Sequence, residues 1–584
     1  MNLKSCCIKK AIFLCLVVMS CSSEKSDKTY NFTTVFEASK GTQTATYDET
    51  ILFYKNLADV HKEIDIQSIG TTDSGKPLHI ITLNPSTNFN FSEVRQNKRI
   101  ILINNGIHPG ESDGIDATMM LFRDIAQGKI DMPKSTVLVS IPIYNIGGSL
   151  NRNSTTRTNQ NGPESYGFRG NARNYDLNRD FIKCDTKNAR TFAQIFHLVQ
   201  PDVFIDNHVS NGADYQYTLT HLFTQHNKLG GDLGDYLHTN IMPQLEQKLA
   251  EKGWDITPYV NVFNRTPEQG FSQFMDSPRY STGYTTLWNT LGMMVETHML
   301  KPYKQRVEGT YELMKSLIEI TETEGERISE LRQNAMAQFK AKKTYPLQWM
   351  VDTTKTSRLN FKGFEGQMIN SNITEGKRLK FDRTKPFTKT VTYKNYMTPA
   401  LEVNIPKAYV IPQGWWSIIE LLKLNNVKMV PFEKDTLLTA TSYKIKDYDT
   451  RQQPYEGHYL HYNVTLDSSE EHITFLKGDY MIYTNQDAFR YLLETLEPQA
   501  PDSFFNWNFF DTILQQKEGF SPYVWEDKAQ ELLEKNPELK INFNLKKSNN
   551  EEFAKNWYAQ LDWLHKQSDN YEKAHLQYPV YRLF

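Results

Sequence analysis

The chain of 584 residues is poor in cysteine, has no surplus of charge of either sign, and lacks an apolar run long enough to cross a bilayer. Each shortage excludes something. Of the five cysteines, Cys6, Cys7, Cys15 and Cys21 all fall near the start, so Cys184 alone sits in the body of the chain. An intrachain disulfide is excluded once those first residues are removed or modified, and the fold must rest on its core. With 66 Lys plus Arg against 68 Asp plus Glu, the net charge is −2, which supplies no long-range field for nucleic acid. No nucleic-acid partner is expected. The apolar stretch Ala11 to Met19 falls short of the ~20 residues that a membrane-spanning helix needs. No convincing repeat or low-complexity tract is present.

What is there begins with an export pattern. Lys9 and Lys10 precede the short apolar run, and Ser20 and Cys21 follow it, as in a cleavable signal. Val18-Met19-Ser20-Cys21 resembles a bacterial lipobox, which implies cleavage before Cys21 and a diacylglycerol group on its sulfur. Residues 1–20 then read as signal and 21–45 as a polar tether, with the protein lipid-anchored in the cell envelope, periplasmic or on the outer membrane. A plain secretory signal, with no special role for Cys21, is the alternative.

A content of 39% hydrophobic and 23% charged residues is ordinary for globular chains, and the length implies two or three domains. Residues 46–300 alternate short β-rich runs with helical patterns, which predicts an α/β domain with a mixed, mostly parallel sheet flanked by helices. Expected strands are Leu78 to Leu83, Ile100 to Asn104, Val137 to Ile143, Val203 to Asp206 and Gly292 to Glu296. Helices are expected at Thr118 to Ile125, Ala189 to Val199 and Asp235 to Lys252. An amphipathic helix over 301–343 reads as a strut leading away. Residues 344–584 read as an α+β accessory domain: a strand-helix-strand unit from Ala408 to Val430, a turn at Pro454 to Gly457, and strands at Tyr459 to Leu466 and Ile473 to Leu476. The aromatic cluster Phe504, Phe505, Trp507, Phe509 and Phe510 suits a buried seam between domains or an exposed binding platform.

Four segments carry chemistry. Ile103 to Glu111 runs from an apolar strand into a Gly-rich turn bearing His108 and Glu111, and two such ligands three residues apart can reach one metal. Phe204 to His208 delivers a histidine at the end of a second apolar strand, which would complete a His, Glu, His set with a position left open. Taken singly, each of these residues also fits a solvated turn. Arg169 to Phe181 is dense in arginine and asparagine, groups whose planar donors suit a carboxylate. Met293 to His298 places Glu296 at the end of an apolar strand, where a buried carboxyl suits a general base.

In order and approximate spacing these segments resemble the zinc metallocarboxypeptidases of the pancreatic carboxypeptidase A type, over roughly residues 46–300. Ser74-Gly75-Lys76-Pro77-Leu78 is similar to the family's opening segment, His108-Pro109-Gly110-Glu111 to its first metal pair, and Asp206-Asn207-His208 to its third-ligand strand. Asp176-Leu177-Asn178-Arg179 is similar to its substrate-carboxylate motif. The resemblance implies one Zn2+ held by His108, Glu111 and His208, Glu296 as base, Arg169 polarising the scissile carbonyl, and Asn178 with Arg179 on the substrate's terminal carboxylate. The family's mobile tyrosine falls on Tyr284, with Tyr280 as the other candidate, and Ser281 and Thr282 lie where the terminal side chain is read. Asn145-Ile146-Gly147-Gly148 departs from the family's usual loop. The implied activity is hydrolysis of the last bond of a peptide with a free C-terminal carboxylate. Peptidoglycan stem peptides are the second substrate reading, and a non-catalytic lipoprotein that binds peptide or glycan is the reading from another class.

Overall fold

Eight short strands, the central ones built on apolar runs such as Ile100 to Ile103 and Val203 to Ile205, pair into one sheet in the computed structural model, which describes residues 30–584. They are β1 (Ile64–Thr71), β2 (Pro77–Leu83), β3 (Arg99–Asn104), β4 (Thr136–Ile141), β5 (Val203–Ser210), β6 (Leu219–Phe223), β7 (Ile256–Pro258) and β8 (Leu291–His298). Their spatial order is β1-β2-β4-β3-β5-β8-β6-β7. The central four run parallel, whereas β1, β2 and β6 join antiparallel and β7 follows β6 in parallel. Central strands of this kind are covered on both faces, and β3, β4 and β5 are buried almost throughout. The α/β class expected from the sequence is the one observed. Strands β1, β6 and β7 were not expected: β1 is half-exposed and polar at alternate positions, and β7 has only three residues.

Helices α1 (Asp113–Ala126), α2 (Lys187–Val199) and α3 (Tyr303–Lys340) pack on this frame. The third corrects the strut reading. Its 38 residues extend about 57 Å at the usual helical rise, but they do not lead away. Val307, Leu313, Met314, Leu317, Ile320, Ile328 and Leu331 are buried, and the helix lies along α1 and the sheet. The Met314 sulfur reaches Thr118 and Asn207 at 3.6 Å. The described part of the expected tether is likewise docked. Thr34 caps a short helix at Val35–Ala38 and Phe36 is buried edge-on against Tyr303. The signal, Cys21 and the remainder of the tether lie outside the described residues.

After α3 the chain is rich in antiparallel sheet. A hairpin of Ser357–Asn370 with Lys377–Lys394 packs Phe361, Val391 and Tyr393 against Tyr215, Tyr217 and Phe271. A six-stranded sheet includes Ala408–Ile411, β9 (Thr436–Thr450), β10 (His461–Phe475), Tyr480–Tyr483 and Tyr581–Leu583. The two strands expected at 459–466 and 473–476 are one, because the polar residues between them continue β10 as an exposed hairpin partner of β9. The expected turn is present. Tyr455 and His458 exchange backbone hydrogen bonds, with Glu456 and Gly457 both at positive φ, 50° and 79°. A two-residue turn of that type needs such angles and favours glycine at the second site. Phe504, Phe505, Trp507 and Phe510 are fully buried, so this cluster is a seam and not a platform.

Candidate metal centre and active site

The turn after β3 and the ends of β5 and β8 bring the expected ligands together. His108, Glu111 and His208 are all buried, and one donor atom from each lies within 4.8 Å of the others. The Glu111 carboxylate is the hub: its Oε1 is 3.2 Å from His108 Nδ1 and its Oε2 is 3.0 Å from His208 Nδ1. Each imidazole is held from behind by another carboxylate. His108 Nε2 is 2.9 Å from Asp176 Oδ1, and His208 Nε2 is 2.9 Å from Asp206 Oδ2. That arrangement fixes both rings and turns Nδ1 of each toward the shared point, which is how outer carboxylates orient metal-bound histidines. His108 Nδ1 is buried and, although it lies 3.2 Å from Glu111 Oε1, makes no well-aligned hydrogen bond among the described residues. A nitrogen stripped of water and without a hydrogen bond is costly. Two imidazoles, one carboxylate and an orphaned donor suit a zinc ion with an open position.

Glu296 stands beside them because β5 and β8 run parallel in a register that matches His208 with Glu296. Burial pushes its carboxyl up to about 8, with Glu111 and Asp206 adding to the rise and His208 opposing it. Glu111 goes the other way. Burial raises it, but Arg157 and His108 outweigh that and hold it well below the ordinary range. For His208 burial favours the neutral ring, yet Asp206 and Glu111 win and raise its pKa well above the usual value. For Asp176 burial is likewise overcome, by His108, Arg169 and Arg179, and the carboxyl lies far below normal.

The arginine-rich segment reaches the same place. Asp176 caps a single turn of 3-10 helix at Leu177–Arg179. Arg169 grips Asp176 through Nε and Nη2, at 3.0 and 2.8 Å, and its Nη1 lies 3.7 Å from Glu111. Arg179 donates Nη1 to the Asn178 carbonyl at 2.8 Å and sits 4.5 Å over the Tyr280 ring. The Asn178 side-chain oxygen accepts from Ser281 N at 3.2 Å, which directs its amide nitrogen elsewhere. Asn145-Ile146-Gly147-Gly148, the departing loop, is a short helix start capped by Asn145. A Cβ on Gly148 would fall 2.4 Å from the Phe168 carbonyl, so only glycine lets the arginine loop lie this close.

Tyr284 is a correction. It is fully buried among Phe181, Phe192, Phe196 and Trp288, and its hydroxyl donates to Asn425 at 2.7 Å, so it cannot reach a substrate. It faces inward because it lies on a helical turn directly under β8. Ser281 and Thr282 are also fully buried, and the Ser281 hydroxyl is bonded to Asp206. Of the two expected tyrosines, Tyr280, half-buried against Arg179, is the one beside the site. Sequence reasoning missed Arg157, whose Nη1 lies 2.8 Å from Glu111 Oε1 and whose Nη2 is buried without a hydrogen-bond partner. Gly110 makes room for it: a Cβ there would be 2.5 Å from Arg157 Nε. It also missed Asp206 and Asp176 as holders of the histidines, although both stood within the quoted motifs.

Residues 51–202 match the family model of zinc carboxypeptidases. That stretch holds His108, Glu111, Arg169, Asn178 and Arg179, and the fold adds His208 and Glu296 from beyond it. Carboxypeptidase 2 of Trichophyton rubrum is 22% identical over 494 residues, 80% of this chain and 84% of that protein. Carboxypeptidase 2 of Trichophyton equinum is 22% identical over 499 residues, with the same shares. Among solved structures, a metallo-carboxypeptidase from Burkholderia cenocepacia is similar at 14% identity and a TM-score of 0.36, covering 47% of this chain and 70% of that one. Carboxypeptidase A from Helicoverpa armigera is similar at 12% and 0.36, covering 48% and 74%. Residues 51–202 are therefore the part of the chain that is similar to zinc carboxypeptidases at the level of a family model.

Proposed function

We propose that this protein is a zinc-dependent exopeptidase that releases the C-terminal residue of peptides and acts from a lipid anchor in the cell envelope. The reading is carried by one observation: His108 and Glu111 on one turn and His208 on a separate strand converge within 4.8 Å beside the half-buried Glu296 carboxyl and two arginines. The donors that would hold the ion are Nδ1 of His108, the Glu111 carboxylate and Nδ1 of His208. When bound, zinc supplies Lewis acidity and lowers the pKa of a coordinated water. Glu296, register-matched to His208 on the neighbouring strand, takes up a proton during attack and returns it to the departing amine. Arg169, with Arg157 behind it, places guanidinium charge where the carbonyl oxygen becomes negative. Asn178 and Arg179 hold the free carboxylate of the substrate, which confines cleavage to the last bond.

The test joins metal content, measured by inductively coupled plasma mass spectrometry, with hydrolysis of a blocked dipeptide and of its C-terminal amide. One zinc per chain and strong preference for the free acid are expected. Equal rates on acid and amide would remove the exopeptidase reading. The anchor rests on Val18 to Cys21, and Cys21→Ser should release the protein from membranes; unchanged membrane association would refute it.

A further inference from the structure

The turn joining β9 to β10 ends against the loop that bears Asp176 and Arg179, although some 280 residues separate them in sequence. Each of its four residues touches that loop or its neighbours. The Tyr455 hydroxyl accepts from Arg179 Nε at 2.9 Å. Glu456 Oε2 accepts the backbone N–H of Asp176 at 2.8 Å. Gly457 lies so close to Tyr175 that a Cβ would meet its hydroxyl at 2.7 Å. His458 Nε2 is 2.7 Å from Asp185 Oδ2. The turn itself is stiffened by its paired backbone bonds and by Trp507, which stacks on Tyr455 with ring centroids 6.1 Å apart and packs against His458 at 5.5 Å.

These contacts bear on two charged groups that the chemistry needs. Arg179 Nη1 is 4.0 Å from Asp176 Oδ2, near enough for the two opposite charges to close on each other. With Nε committed to Tyr455 and Nη1 to the Asn178 carbonyl, the guanidinium is held off that carboxylate, and its Nη2 carries no protein hydrogen bond among the described residues. Asp176 in turn is fastened at its backbone by Glu456 while its side chain holds His108. We propose that Tyr455 and Glu456, supplied by the C-terminal region, are positioning residues of the active site. Tyr455 aims Arg179 at the substrate carboxylate, and Glu456 seats Asp176 behind His108. This rests on the reading of Arg179 as the carboxylate holder.

The experiment uses the full-length, zinc-loaded protein and its Tyr455→Phe, Glu456→Ala and Glu456→Gln variants, each checked for folding by circular dichroism and thermal melting. Kinetics are measured on a blocked dipeptide and its amide. Loss of a hydrogen bond to a charged group costs binding, so Tyr455→Phe should raise KM for the acid about tenfold with kcat within about twofold, and should narrow the preference for acid over amide by the same factor. Glu456→Ala should lower kcat several-fold, and Glu456→Gln, whose amide oxygen still accepts the Asp176 N–H, should restore it. Wild-type kcat and KM in folded Tyr455→Phe and Glu456→Ala overturn the inference while leaving the exopeptidase reading intact. A fall in kcat alone for Tyr455→Phe overturns the role of Tyr455. If the unaltered protein does not distinguish acid from amide, the exopeptidase reading and this inference fall together. Should Glu456→Ala not fold, the split between KM and kcat in Tyr455→Phe decides.

Discussion

His208 and Glu296 are register partners on the adjacent parallel strands β5 and β8. Neighbouring strands lie about 4.8 Å apart and matched residues share a face, so the backbone ladder sets the distance from the proposed ligand to the proposed base. Glu296→Gln keeps the shape and the ladder but removes the proton acceptor. We expect kcat to fall by about 10²- to 10⁴-fold, with zinc content and KM nearly unchanged. A variant with near-normal kcat would place the base elsewhere.

Metal removal should destabilise the protein, because three buried donors then meet without their ion. Bound zinc at a free concentration a hundred times its dissociation constant contributes about 2.7 kcal/mol, visible as a fall in Tm on adding chelator. His208→Ala should abolish the chelator effect. A His208→Ala protein that keeps one zinc per chain would eliminate this residue as a ligand.

Tyr284→Phe tests the correction made by the fold. Its hydroxyl serves Asn425, so its loss should cost about 1–3 kcal/mol of stability and leave kcat/KM within about twofold. A large kinetic effect without a change in Tm would contradict the buried placement.

Asp116 on α1 gives a pH signature away from the metal. Burial raises its carboxyl from 3.8 to about 6, with Asp113 adding to the rise against the Thr44, Tyr303 and Ala45 bonds. The folded state therefore binds the proton more tightly than the unfolded one. The resulting stability is complete below pH 3.8, is lost as pH rises through about 6, and amounts to about 3 kcal/mol at most. Melting curves of the unaltered protein and Asp116→Asn should converge or cross over that window. Parallel curves would show that Asp116 does not titrate there.

The central strands and the candidate site residues were legible because each lies in a short local pattern: an apolar run ending in His108-Pro109-Gly110-Glu111, in Asp206-Asn207-His208, or in Glu296. What was not legible depends on partners far along the chain. Tyr284 has a plausible spacing from Glu296, but spacing does not say which way a helical turn faces, and its neighbours Asn425 and Trp288 decided that. Arg157 stands in an unremarkable Ser/Thr/Asn-rich stretch, and nothing local marks it as the guanidinium against Glu111. The strut reading of α3 failed for a related reason: its charged face is obvious in sequence, whereas the surface awaiting its apolar stripe belongs to other segments.

The buried seam ties the two halves of the molecule through buried charges that pair across it. Arg490, at 1% exposure, donates to the carbonyls of Lys228 and Thr286 and to the Asn289 side chain, and Arg279 pairs with the wholly buried Asp502 at 2.7 Å. Parting the halves would leave a guanidinium or a carboxylate unpaired at a freshly opened apolar surface, a cost of several kcal/mol for each. The α/β portion and the C-terminal region are therefore expected to lose structure in one cooperative transition, and a fragment ending at Lys340 would keep the candidate metal donors without the surface that covers them.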